Sequence, residues 1–209
     1  MTLVVQPTKI VCIGRNYAAH AKELGNEVPK EPLLFLKPPS ALLSPGAAIQ
    51  VPPQSSRVEH EAEIGVVIGR RACDVKEADA AGYIAGFTCV NDVTARDLQK
   101  SDGQWSRAKG FDTFCPVGPY VKHDLDWTQF EVICRVNGTV RQHGFARDMI
   151  FGIPFLVSYI SHMMTLEPGD LIATGTPEGV GPLVPGDMVE VEIPGIGVLA
   201  NPVTQKATT

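Results

Sequence analysis

The stretch VEHEAEIGVVIG, residues 58–69, constrains this chain more than any other. Glu59, Glu61 and Glu63 recur at every second position and run into an apolar segment that ends at Gly69. In an extended strand alternate side chains share a face, spaced roughly 6.5 Å apart along the backbone. The continuation IGVVIG is apolar on both faces, the pattern of a strand covered on both sides. The fold must therefore put carboxylates on a strand whose other residues are buried. Like charges so placed repel unless water screens them, as at a solvent-facing sheet edge, or a cation holds them together.

The rest of the chain supplies partners for such a strand. Twenty glycines and 17 prolines in 209 residues favour short strands and turns over long helices. KIVCIGRNY predicts a buried strand stopping at Gly14, and YAAHAKELG a short helix closed by Gly25. LLFLKPPSALL predicts a strand with a proline break, and SPGAAIQVPPQSS one further short strand. The central strand is expected over roughly residues 61–70. KEADAAGY is expected as a short helix, and IAGFTCVNDV as a strand ending near Asn91 and Asp92. Residues 94–113 are polar and suit a helical turn plus loop. EVICRVNGTVRQHG is a hairpin about Asn137-Gly138. MIFGIPFLVSYISHMM has helical spacing with Pro154 in its first turn, and its methionines and aromatics are assigned to the core. EPGDLIATGTPEGVGP predicts a turn, a strand and a glycine-rich loop, and GDMVEVEIPGIGVLANPV a closing pair of strands. With no internal repeat or linker, the expectation is one α+β domain over residues 1–209.

The net charge of −5, with scattered Lys and Arg, offers no nucleic-acid surface. No apolar run approaches the ~20 residues of a membrane span, and the N-terminus lacks a signal-peptide pattern. The five cysteines form no C-x-x-C pair, and most are expected as core residues in a reducing compartment. A cytoplasmic protein is the expectation.

Besides Glu61 and Glu63, a further acidic residue, Asp92, ends the apolar strand FTCVNDV, where side chains emerge from a sheet. Three carboxylates without histidine or thiolate partners suit a hard ion, Mg²⁺ or Mn²⁺. His60 alternates with the glutamates, faces the other way and is expected to be structural. Ile64 occupies the place of a second zincin histidine. His20 and Glu23, at i and i+3, can share a helix face, and a carboxylate beside an imidazole prepares it as a general base. Such pairs are also ordinary on helix surfaces. Lys109 lies in a polar loop, where most lysines are merely solvated. TGTPEGVGP lacks the G-x-x-x-x-G-K spacing of a nucleotide loop, yet its backbone and hydroxyl donors suit a small anion such as a carboxylate.

Seven ordered blocks carry a wider likeness: GRNYAAHAKE, EPLLFLKP, EHEAEIGVVIG, NDVTARDLQ, QWSRAKGFDTFCPVGP, VNGTVRQ and LIATGTPEGVGP. Together, over about residues 9–192, they resemble the fumarylacetoacetate hydrolase family. More narrowly, they resemble its branch of acylpyruvate hydrolases, oxaloacetate decarboxylases and 2-hydroxyhepta-2,4-diene-1,7-dioate isomerase-like enzymes. The resemblance implies a mixed β-sandwich roll with flanking helices, a homodimer, and Mg²⁺ or Mn²⁺ held by Glu61, Glu63 and Asp92. Glu59 falls outside the matched ligands and is expected in solvent. His20 and Glu23 match a water-activating dyad on a lid helix, and Lys109 a lysine beside the substrate. Arg15, Gln99 and Thr176 match positions that hold the carboxylate and oxo group of a 2-oxo acid. The implied activity is metal-dependent cleavage of the C3–C4 bond of short 3-acylpyruvates, with oxaloacetate decarboxylation open to the same site. One alternative is an isomerase or decarboxylase of hydroxymuconate-type dienoates in aromatic catabolism. Another is a non-catalytic metal or carboxylate binder, which has no use for the dyad and Lys109. The segment KSDGQ between Gln99 and Trp105 is shorter than in familiar acylpyruvases, which reshapes the entrance.

Overall fold

A computed structural model describes residues 5–207. In chain order the first half holds β1 (Ile10–Gly14), α1 (Ala18–Glu23), β2 (Leu33–Lys37), β3 (Leu42–Leu43), β4 (Ile49–Val51), β5 (Val58–His60), β6 (Ala62–Ile68), β7 (Ile84–Asn91) and β8 (Thr94–Ala95). There follow α2 (Arg96–Asp102), α3 (Ser106–Lys109), β9 (Cys115–Lys122), β10 (Glu131–Val136), β11 (Thr139–Phe145) and α4 (Ile153–Ser161). The chain closes with β12 (Leu171–Ala173), β13 (Gly181–Pro182), β14 (Met188–Ile193) and β15 (Gly197–Gln205). The strands form a seven-stranded mixed sheet, β2-β1-β12-β6-β7-β9-β3, a five-stranded sheet, β11-β10-β14-β15-β4, and a small β13-β5-β8 sheet. This is the α+β architecture expected from the dominance of short strands.

β6 lies at the centre of the large sheet, antiparallel to β12 on one side and β7 on the other. Its two faces enter different apolar clusters. Ala62, Ile64, Val66 and Ile68 join Phe87, Cys89, Val132, Cys134, Val191 and Leu199 in the layer beneath the five-stranded sheet. Val67 joins Ile10, Cys12, Val90, Cys115, Leu171 and Ala173 on the opposite face. Period-two alternation puts Glu63 and Gly65 on that second face, so the carboxylate faces inward rather than along a wet edge. Gly65 is required there: a Cβ would lie 2.6 Å from Val90 Cγ2 and 2.8 Å from Thr88 Cγ2.

Several local expectations change in detail. KEADAAGY is a 3₁₀ segment, Glu77–Tyr83, and the polar region after β8 forms two short helices, α2 and α3. The hairpin β10–β11 turns at Asn137 (φ 52°) and Gly138 (φ 76°), the left-handed pair that a tight hairpin demands. In α4 and the residues flanking it, the core assignment of every aromatic and methionine was too broad. Ile153, Leu156, Val157 and Ile160 face inward, whereas the i, i+4 row Phe151, Phe155 and Tyr159 is half-buried at the margin and Met163 is exposed. A 3.6-residue period gives a helix on a sheet only one buried stripe. Cys12, Cys89, Cys115 and Cys134 are buried, Cys73 is exposed, and all five are free thiols. No described helix is long and apolar enough to cross a membrane.

Candidate active site

Glu61, Glu63 and Asp92 converge. One carboxylate oxygen from each lies within 4.8 Å of the others, and all three side chains are buried. Adjacent strand ends bring them together. Glu61 occupies the break between β5 and β6, where its backbone N–H donates to Asn91 Oδ1 at 3.0 Å. Asp92 follows the last residue of β7, and its N–H donates to Glu61 O at 2.8 Å.

The counter-charges are uneven. Arg96 donates to Glu61 Oε1 at 2.6 Å, Lys109 to Glu61 Oε2 at 2.8 Å and Asp92 Oδ2 at 2.6 Å, and Lys37 to Asp92 Oδ1 at 2.5 Å. Among the described residues, Glu63 receives only the backbone N–H of Gly175, at 2.8 Å. Burial, with Asp92 and Glu61 beside it, pushes the Glu63 carboxyl well above the usual range. Burial alone would raise Glu61 too, but the Lys109 and Arg96 charges outweigh it and hold Glu61 low. Lys109 is buried, which would favour its neutral form. Asp92 and Glu61 reverse that and keep it an ammonium. The cluster thus has one carboxylate to which no described side chain donates, and its ligand atoms are all hard oxygens. A divalent cation such as Mg²⁺ or Mn²⁺ fits that donor set.

Glu61 and Glu63 line a cavity of about 450 Å³, and Asp92 lies behind them in the cluster. His20 and Glu23 lie on its wall, with His20 Nδ1 3.1 Å from Glu23 Oε2. Arg15, Gln99 and Thr176 also line it, so all nine residues singled out in the sequence share one region of the fold. Their surroundings refine what each could do. Gln99 Oε1 accepts from Arg96, which leaves its amide N–H groups for a ligand. The Thr176 hydroxyl donates to Ala62 O at 2.9 Å and accepts from Gln142 at 2.7 Å. Arg15, with φ 58°, places its guanidinium carbon over the Trp105 ring, 6.0 Å from its centroid. Two of the three Lys109 donors are taken, and Phe35 covers the ammonium at 5.0 Å.

Glu59 corrects an expectation. It is 1 % exposed, not solvated, and accepts from Arg96 Nε and Arg57 Nε, each at 2.6 Å. Arg96 spans Glu59 and Glu61, so the alternating glutamates form a buried charge network, of which only the last two reach the cluster. His60 is structural as expected: it is buried, with Nδ1 2.9 Å from Gln142 Oε1. Sequence reasoning missed Lys37 and Arg96. A lysine ending the run LLFLK and an arginine opening a helix each suggest a solvated cation. Counting charges would have flagged them, because buried carboxylates require buried cations.

Residues 9–204 match the model of the fumarylacetoacetate hydrolase C-terminal family. Among the most similar named relatives is the mitochondrial oxaloacetate tautomerase of Arabidopsis thaliana, 50% identical over 91% of this chain and 88% of that protein. The mitochondrial oxaloacetate decarboxylase of Dictyostelium discoideum is 47% identical over 90% of this chain and 89% of its own length. A crystal structure of 5-carboxymethyl-2-hydroxymuconate delta-isomerase from Mycobacterium smegmatis superposes with a TM-score of 0.92 at 49% identity, covering 98% of this chain and 81% of that one.

Proposed function

Because the chain belongs to the fumarylacetoacetate hydrolase family, we propose that its cavity binds a short 2-oxo acid on a divalent cation and moves a proton between its enol and keto forms. Oxaloacetate is the first substrate. The observation that carries this reading is the shared cavity: Glu61 and Glu63 of the carboxylate cluster and a tied His–Glu pair open onto one space. Glu61, Glu63 and Asp92 would hold the ion, which supplies a Lewis acid beside the 2-oxo oxygen.

The protein's own residues do the rest. His20 Nδ1 donates to Glu23, so Nε2 is left to take a proton from C3 of the keto form and return it. Lys109 keeps one N–H for the cavity and brings a fixed positive charge to the oxygen where negative charge develops. Arg15 and the free amide end of Gln99 offer donors to the carboxylates of the acid. Phe35 and Trp105, packed edge to face at 5.2 Å, shield that wall from water. Decarboxylation of oxaloacetate needs the same electron sink but no base.

The His20–Glu23 contact also supports a second reading, hydrolytic cleavage of the C3–C4 bond of short 3-acylpyruvates, in which Nε2 takes its proton from water. The test is to follow the enol absorbance of freshly dissolved oxaloacetate, and in parallel acetylpyruvate, with Mg²⁺ or Mn²⁺ and then with excess chelator. Metal-dependent acceleration of enol–keto exchange supports the first reading. Acetylpyruvate turnover without that acceleration favours the second. Exchange at the same rate with chelator present contradicts both.

A further inference from the structure

Gln142, on β11 of the five-stranded sheet, is 1 % exposed and uses its whole amide. Oε1 accepts from the backbone N–H of Ala62 at 3.0 Å and faces His60 Nδ1 at 2.9 Å. Nε2 donates to Pro177 O at 2.8 Å and to Thr176 Oγ1 at 2.7 Å. A backbone donor on one side and a backbone carbonyl on the other allow only one orientation of this amide. Ala62 lies between the carboxylates of Glu61 and Glu63, and Thr176 and Pro177 belong to the glycine-rich loop after β12. A single side chain therefore ties the carboxylate strand to that loop.

The loop reaches both halves of the cavity chemistry. The Gly175 N–H donates to Glu63 Oε2 at 2.8 Å, and the Gly179 N–H to Glu23 Oε1 at 3.0 Å. Gly179 has φ 93°, and a Cβ there would lie 2.1 Å from the carbonyl oxygen of Arg141, the residue before Gln142. β11 thus seats residues 174–179 twice, by the Gln142 amide and by a backbone approach that only glycine permits.

We propose that Gln142 is a positioning residue: through loop 174–179 it fixes Glu23, which orients His20, relative to the carboxylate of Glu63. This rests on the proton-transfer reading above. Glu61 and Asp92 keep their own anchors in Arg96, Lys37 and Asn91, so the loop governs the base more than it governs the ion.

The test compares Gln142→Met, which keeps the volume and removes all four contacts, with Gly179→Ala, which dislodges the loop from its other end. Amide hydrogen exchange of the metal-free proteins is measured together with oxaloacetate exchange kinetics and Mn²⁺ affinity. In Gln142→Met, the Gly175 and Gly179 amides should exchange at least tenfold faster while the amides of β6 hold their protection. In the same variant kcat should fall at least tenfold, with Mn²⁺ affinity changed less than threefold. Gly179→Ala should reproduce the loss of kcat even if Gln142→Met does not fold. Unchanged exchange at both glycines, kcat within twofold in Gly179→Ala, or protection lost evenly across β6 would overturn the proposal. Wild-type protein with no metal-dependent activity would sink the functional reading instead, and the exchange pattern would then judge the loop anchor alone.

Discussion

Replacing Glu63 by Gln should stabilise the metal-free protein while abolishing its response to metal. Two carboxylate oxygens 4.8 Å apart, the outer limit of the cluster, repel by about 3.5 kcal/mol at an effective dielectric of about 20. Lys109 offsets part of this for Glu63, and protonation of its carboxyl caps the penalty at about 4 kcal/mol near pH 7.5, about 1.4 kcal/mol for each pH unit above an unfolded value of about 4.3. Its sign follows from the raised pKa. The folded protein binds a proton that the unfolded chain gives up above about pH 4.3, so the penalty is absent below that pH and grows as pH rises toward the folded pKa. Glutamine removes it. Without metal, Glu63→Gln should melt above wild type near pH 7.5, by about 2–4 °C for each kcal/mol of that penalty, and the gap should close on acidification. Mn²⁺ at about 100 times its dissociation constant adds about 2.7 kcal/mol to wild type, or about 5–10 °C for a chain this long. The variant should gain less than about 2 °C. Differential scanning calorimetry across pH, with and without Mn²⁺, measures both quantities. A variant that melts lower than wild type without metal, yet keeps the full metal-induced rise, would refute the reasoning.

Three further outcomes follow from the same geometry. His20→Ala should slow enol–keto exchange and any acylpyruvate hydrolysis by about 10²–10⁴-fold while largely sparing oxaloacetate decarboxylation, read as carbon dioxide release; equal losses in all would contradict the assigned role. Asp170 is fully buried and accepts from Thr8, Lys9 and the Glu167 N–H, so Asp170→Asn should cost about 2–3 kcal/mol by urea denaturation at pH 7. Those bonds outweigh its burial and depress its pKa, so the Asp170 contribution is present above about pH 3.9 and the gap to Asp170→Asn should narrow as pH falls through the folded value. Gly65→Ala should destabilise by about 1–3 kcal/mol, because Val90 and Thr88 leave no room for the methyl group; no change in melting would mean that β7 yields freely.

Elements with a strong local signal were legible from the chain. β6 announced itself by a run apolar on both faces, the β10–β11 hairpin by Asn137-Gly138, and the α1 pair by i, i+3 spacing. The cluster of Glu61, Glu63 and Asp92 was legible because strand alternation and strand ends are local properties. Its counter-charges were not, since Lys37 and Arg96 reach the carboxylates only through tertiary packing of β2 and α2. Glu59 was misplaced for the same reason: a glutamate goes to solvent unless a buried arginine meets it, and Arg96 lies 37 residues further along the chain. Gln142 gave no signal of its own. A lone glutamine in a hairpin strand acquires meaning only when Ala62 and Pro177 are seen on either side of it.

Anomalous scattering from crystals soaked in Mn²⁺ tests the central claim most directly. One peak per chain is predicted, about 2.1–2.2 Å from an oxygen of each of Glu61, Glu63 and Asp92 and lost in Glu63→Gln crystals. A peak elsewhere, or three ion-free carboxylates at saturating Mn²⁺, would contradict it.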